Sequence, residues 1–392
     1  MNESHQLGFG TKSIWAGEGS DSWWGATQVP VVHSVAFGYP DVSVWQAAAL
    51  GRKPGHIYSR NTNPTVRAFE EKVRILEGAE AATSFASGMA AISNTLFTLL
   101  SPGDHVVSVK DTYGGTNKVF TEFSPRFNIR VTLCDTTDAA QIERTVGQGC
   151  RVLYLETPTN PTLKVVDIKR LTAAAHKVGA IVVADNTFAT PLNQNPLALG
   201  VDLVLHSATK FLGGHADALG GIVCGSKDLV HKIYHFREIT GAALDPNAAY
   251  LLLSCMKTLH LSIRQQNESA LKIAEWLSTQ PKVSAVLYPG LPTHPQHDIA
   301  RCQMRGFGGV LSFMLHGGFP AVCEFLPRLK YAYRAANLGA VETIAGPPAT
   351  TSHVECTPEE RAAMGIPEGL VRYSVGIEDT ADLIADLSSA LG

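Results

Sequence analysis

The chain has 392 residues, 45% hydrophobic and 17% charged, with a formal net charge of -3. That length is roughly two or three ordinary domains; the composition excludes a disordered chain, and the charge gives no support to a nucleic-acid or membrane surface. Its seven cysteines are scattered, odd in number and without a C-x-x-C pair, which argues against a disulfide framework or zinc site and for a reducing, cytoplasmic setting.

Met1 to Gln6 lack the basic and apolar regions of a signal peptide. No apolar run reaches the ~18 residues a membrane span needs. The first sixty residues are irregular, with Trp23, Trp24, Pro30, Pro40 and Pro54 interrupting any period. They are expected to form an arm (1–60) that packs on the body or on another subunit. Val66, Phe69, Val73 and Leu76 then repeat at helical spacing up to Gly78, and Ser87-Gly88 opens an apolar helix to Leu100.

Short β-branched runs follow at His105–Val109, Ile129–Cys134, Arg151–Glu156, Ala180–Ala184, Leu203–His206 and Gly221–Cys224. Helical stretches around Lys118, Ala140, Leu171 and Leu197 separate most of them, so the pattern predicts a parallel sheet covered on both faces. This large domain is placed at 61–250. Beyond it, one long helix over Asn247–Ser278, strands at Val283–Tyr288, Gly309–Leu315 and Leu370–Val375, and a closing helix Thr380–Leu391 predict an α+β C-terminal domain at 251–392.

In open parallel sheets, ligands bind outside the carboxyl ends of the strands. Three polar groups fall at such ends: Glu156, Asp185 and the run His206-Ser207-Ala208-Thr209-Lys210. Alone, Asp185 reads as a turn or helix cap, Lys210 as a surface lysine and Ser87 as an N-cap. Together they suit one chemistry. A lysine amine in an apolar or phosphate-rich pocket is a Schiff-base nucleophile, a strand-end carboxylate can hold a pyridinium nitrogen, and a helix start suits a phosphate.

Tyr58-Ser59-Arg60-Asn61-Thr62-Asn63-Pro64-Thr65, Ser87-Gly88-Met89, Glu156-Thr157-Pro158-Thr159-Asn160-Pro161, Asp185-Asn186-Thr187 and His206 to Lys210 resemble the Cys/Met-metabolism (trans-sulfuration) pyridoxal-phosphate enzymes of methionine γ-lyase and cystathionine γ-lyase type. Tyr288-Pro289-Gly290-Leu291 and the run Arg372 to Asp379 match as well. The resemblance implies an aspartate-aminotransferase-type α/β fold (fold type I) and a homotetramer built from two dimers. Lys210 would carry pyridoxal 5'-phosphate, and Asp185 would pair with its ring nitrogen. Ser87, Gly88, Met89, Ser207 and Thr209 would cradle the phosphate, completed by Tyr58 and Arg60 of a neighbouring subunit. Asn160 would lie near the phenolic oxygen, Tyr113 would stack on the ring as acid or base, and Arg372 would clamp the substrate carboxylate.

Departures bear on the substrate. Ile57 stands where cystathionine-handling relatives commonly have an acidic residue, as methionine γ-lyases tend to have an apolar one, and Glu342 is the carboxylate considered for a distal ammonium instead. Gly115 looks like the cystathionine enzymes. Asn337-Leu338-Gly339 replaces the usual Ser-Leu-Gly, and Arg237-Glu238 stands where Lys-Asp is frequent. The expectation is γ-elimination from L-methionine or L-cystathionine, with methionine favoured. The alternative is γ-replacement on an O-acylhomoserine, as in a cystathionine γ-synthase or sulfhydrylase. A nicotinamide oxidoreductase is disfavoured because no G-x-G-x-x-G follows an early strand. His294 and His297, with Pro295 between them and no third ligand, read as surface histidines rather than a metal site.

Overall fold

The computed structural model describes residues 7–19, 23–354 and 357–392; Met1 to Gln6 and Cys356 lie outside the described residues. Seven strands form the larger sheet: β1 (Ala81–Phe85), β2 (His105–Val109), β3 (Arg130–Cys134), β4 (Val152–Glu156), β5 (Ile181–Asp185), β6 (Leu203–Ser207) and β7 (Gly221–Gly225). Their spatial order is β1-β7-β6-β5-β4-β2-β3. All neighbours pair in parallel except β7, which runs antiparallel to both β1 and β6. The sheet is thus mostly parallel, and β4 and β7 are buried along their whole length, as strands covered on both faces must be.

A second sheet of β8 (Val283–Leu287), β9 (Val310–Leu315), β10 (Ile344–Gly346) and β11 (Leu370–Ser374) has order β10-β11-β9-β8 and antiparallel pairing throughout. Its core joins Leu311, Phe313, Val371 and Tyr373 to Leu383 and Leu387 of the helix Thr380–Leu391.

The arm is more ordered than its sequence suggests, since it contains helices α1 (Phe9–Trp15) and α2 (Val42–Ala49). Asp41 caps α2 by accepting from the Ser43 and Val44 amides. α1 packs on α3 (Pro64–Glu77). Asn63 caps α3, Pro64 opens it, and Gly78 closes it at φ 72°.

The buried Lys72 of α3 locks the arm down. Its ammonium donates to the carbonyls of Ser13 (2.8 Å) and Ile14 (3.0 Å) and to Glu18 (2.5 Å). Glu18 also pairs with Lys257 at 2.8 Å. Burial lowers the Lys72 pKa, and Glu18 counters that.

Other elements depart from the sequence pattern. The stretch Asn247–Ser278 is two helices, Pro246–Met256 and Leu259–Leu277. They part at Thr258, whose hydroxyl bonds back to the Cys255 carbonyl, and no Gly or Pro marks the break. The turn around Leu197 is a four-residue 3-10 segment. β1, β10 and the helix Lys227–Thr240 add to the elements expected from the sequence; the helix buries Val230, Ile233 and Arg237 at helical spacing. His294 is buried, with its pKa pushed down to about 4 by desolvation, rather than a surface residue. No helix among the described residues is long and apolar enough to cross a membrane.

Replacing Glu18 by Ala should destabilise the protein by about 1.5–3 kcal/mol, the worth of a hydrogen bond to a buried charge. It should also expose the arm to trypsin. Thermal unfolding and limited proteolysis check this; an unchanged cleavage pattern and midpoint would refute the clamp.

Candidate active site

A cavity of about 260 Å³ opens at the carboxyl ends of the large sheet. β2 and β4 are neighbours, but the chain leaves β2 towards β3 on one side and leaves β4 towards β5 on the other. Such a reversal opens a crevice between the loops that follow the two strands. Tyr113 follows β2 and Glu156 ends β4, and the Tyr113 amide donates to Glu156 Oε2 at 2.8 Å. Glu156 pairs in register with Asp185, and Asp185 with Leu205 of β6. The next residues of β6 lead through Ser207 to Lys210.

Ser87, Gly88, Met89, Tyr113, Asn160, Asp185, Ser207, Thr209, Lys210, Asn337 and Arg372 all line this cavity. Helix α4 (Gly88–Leu99) begins at its wall, with the Ser87 hydroxyl accepting from the Ala90 amide at 3.1 Å. The Gly88 and Met89 amides fall in the first turn, where a helix has no acceptor to offer. A Cβ at Gly88 would sit 2.7 Å from Ser207 Cβ, so only glycine lets the two segments approach this closely. Thr209 exchanges hydrogen bonds with the backbone of Gly220.

Burial, reinforced by Arg372, pushes Lys210 down to about 8. Its Nζ donates to Asn337 Oδ1 at 2.7 Å. The replaced serine position therefore still delivers a polar atom to the lysine. Gly339, at φ +77°, makes this approach feasible: a Cβ there would lie 2.7 Å from the Phe211 amide nitrogen. Arg372, on β11, is pushed down to about 10 by burial. It donates to Asn160 Oδ1 (3.1 Å) and to the Asn337 carbonyl (2.9 Å), which leaves further N–H groups for a carboxylate. Burial raises the pKa of both Asp185 and Glu156, with Asp185 adding to the rise at Glu156.

Four predicted residues lie elsewhere in this chain. Tyr58 and Arg60 are exposed, with the guanidinium over the Tyr58 ring and bonded to the Glu238 carbonyl. Ile57 is half-buried beside them, and Glu342 is exposed; neither lines the cavity. Arg237 and Glu238 hold the Arg60–Asn61 segment. Thr187, Leu219, Thr351 and Ser352 join the lining. Of these only Thr187 had a sequence signal, its place right after Asp185.

Pyridoxal phosphate, which the resemblance implies, fits these residues. The cavity supplies an amine of lowered basicity for a carbonyl carbon, a buried carboxylate for a ring nitrogen and free helix-start amides for a phosphate. Its cations among the described lining residues are Lys210 and Arg372. The loaded protein should be yellow, and borohydride should fix the cofactor to Lys210. Freed of cofactor, it should show amine labelling of Lys210 that rises with pH to a midpoint near 8, because only the neutral amine reacts. Peptide mapping with the label on another lysine would overturn this.

The model of the family described as Cys/Met metabolism PLP-dependent enzyme matches residues 10–392. The L-methionine gamma-lyase of Pseudomonas putida is 43% identical over 394 residues, covering 100% of this chain and 99% of the relative. Cystathionine gamma-synthase 1, chloroplastic, of Arabidopsis thaliana is 43% identical over 385 residues, 97% of this chain and 68% of that protein. The crystal structure of cystathionine gamma synthase from Xanthomonas oryzae pv. oryzae in complex with cystathionine superposes with a TM-score of 0.93 at 37% identity, over 98% of each chain. The fold is therefore the fold type I α/β architecture expected from the sequence. With sequence, fold and cavity in agreement, the chain belongs to the Cys/Met-metabolism family of pyridoxal-phosphate-dependent enzymes.

Proposed function

We propose that the protein is a carbon–sulfur lyase that performs γ-elimination on L-methionine or L-cystathionine, giving a thiol, 2-oxobutanoate and ammonia. The observation that carries this reading is the meeting in one cavity of a lysine amine lowered to about 8, a buried guanidinium with donors to spare and a phenol at the mouth. Bound pyridoxal phosphate supplies an electron sink for a carbanion. Lys210, Asp185, Ser87, Gly88, Met89, Ser207 and Thr209 would hold it.

Arg372 grips the substrate carboxylate and so points Cα at Lys210. The lysine amine takes the Cα proton and, only after giving that proton up and returning to the neutral amine, takes a second one from Cβ, as a γ-leaving group requires. Tyr113 gives a proton to the departing thiolate sulfur. Water completes the release of 2-oxobutanoate and ammonia.

Methionine is favoured over cystathionine. The carboxylates among the described lining residues are Asp185 and Glu156; the first would be committed to the ring nitrogen and the second accepts the Tyr113 amide. Neither is free for a distal ammonium, whose desolvation would go uncompensated. Leu219, Ala336 and Leu338 instead offer apolar surface, worth about 0.8 kcal/mol per buried methyl-sized group. Ile57 would add to that surface from a neighbouring copy. γ-Replacement on an O-acylhomoserine is the second reading, supported by the similarity to the synthase as well as to the lyase.

Purified enzyme should release a thiol and 2-oxobutanoate from methionine alone, faster than from cystathionine. Product analysis checks this against an O-acylhomoserine plus a thiol. Product formed only in the last mixture would replace the lyase by a synthase.

The exposure of Tyr58 and Arg60 supports a site completed by a second copy within a homotetramer. Arg60→Ala should weaken cofactor retention by about 1.5–3 kcal/mol. Mixed with Lys210→Ala, it should regain part of the lost activity, because hybrid oligomers contain some intact sites. No recovery after demonstrated subunit exchange would place the whole site within one chain.

A further inference from the structure

Beside the cavity residues lies a buried polar cluster that the proposed chemistry does not use. Its centre is Glu77, the last residue of α3, whose side chain is wholly buried. Glu77 Oε1 accepts from His206 Nε2 at 2.6 Å and from Asn186 Nδ2 at 3.0 Å, and Oε2 accepts from Asn195 Nδ2 at 3.1 Å. Asn186 in turn exchanges hydrogen bonds with Gln194: its Nδ2 donates to the Gln194 carbonyl at 2.9 Å, and its Oδ1 accepts from Gln194 Nε2 at 3.0 Å. Gln194 Nε2 also reaches the Thr157 carbonyl at 3.3 Å.

The members of this cluster sit next in sequence to cavity residues. His206 precedes Ser207, Asn186 follows Asp185, and Thr157 lies between Glu156 and Pro158. One carboxylate at the end of α3 is therefore tied to the ends of β4, β5 and β6 together. Burying a carboxylate in apolar surroundings is costly, and an apolar side chain would fill the space at lower cost. What the carboxylate adds is directional: three donors must converge on it, and each donor's backbone is thereby held.

We propose that Glu77 is a positioning residue, whose buried carboxylate, through His206 and Asn186, sets the spacing between Asp185 and the Ser207–Lys210 segment that the cofactor must bridge. Glu77 is not among the residues that line the cavity. The proposal rests on the cofactor site but not on the choice of substrate, because its main readouts are taken on the bound cofactor before substrate is added.

The test uses the full-length protein loaded with pyridoxal phosphate. Glu77→Gln keeps the volume and one acceptor oxygen but loses convergent acceptance by both. It should raise the cofactor dissociation constant about tenfold or more, the scale of one lost buried hydrogen bond, and reduce the visible circular dichroism of each bound cofactor. Turnover per loaded site should also fall about tenfold with KM little changed, since Arg372 sits on the other sheet. A merely structural role would lower the unfolding temperature while leaving the dichroism, affinity and turnover of loaded sites at wild-type values, and that result would overturn the proposal. If Glu77→Gln does not fold, His206→Leu and His206→Gln carry the same test. The glutamine keeps an N–H donor and should retain near-wild-type dichroism and affinity, whereas the leucine should lose both. Equal values in the two variants would refute the role of Glu77.

Discussion

The hydrogen-bonded register of β4, β5 and β6 is the constraint on which the site depends. Glu156 stands opposite Asp185, and Asp185 opposite Leu205, two residues before Ser207. Strands buried on both faces can place polar side chains at low cost only at their ends, where backbone pairing stops and a crevice opens. The chemistry is concentrated there for that reason. The same parallel pairing that excludes water from the sheet delivers a carboxylate, a hydroxyl and an amine to one side of it.

Electrostatics follow from that placement. Burial lowers Lys210 and Arg372 and raises Asp185 and Glu156, so each group is pushed towards its neutral form. For the lysine this means an amine ready to act as nucleophile or base near neutral pH. For Asp185 a ligand with a cationic ring nitrogen would relieve the cost. A cavity with these tendencies is matched to a ligand that carries its own charges.

The two sheets divide the work. The larger holds the residues suited to the cofactor, while β11 of the smaller brings Arg372 across to Asn160, and the loop before β10 brings Asn337 to Lys210. In the proposed reaction the smaller layer would grip the substrate carboxylate through Arg372, while the larger would hold most of the cofactor.

By itself the sequence determined where β2 to β9 and β11 fall in the chain and which polar residues stand at their ends, because apolar runs and strand-end polar groups are local signals. It also carried the family motifs, including Lys210, Asp185 and Arg372. Only the tertiary structure decided the antiparallel entry of β7, the break at Thr258, and the helices of the arm, which tertiary contacts such as the Lys72–Glu18 pair hold in place. Long-range contacts likewise decided that Asn337 reaches Lys210 and that Glu77 meets His206 and Asn186, residues separated by 127, 129 and 109 positions. No local pattern encodes such a meeting. It arises when packing brings the end of one helix against the ends of strands far along the chain.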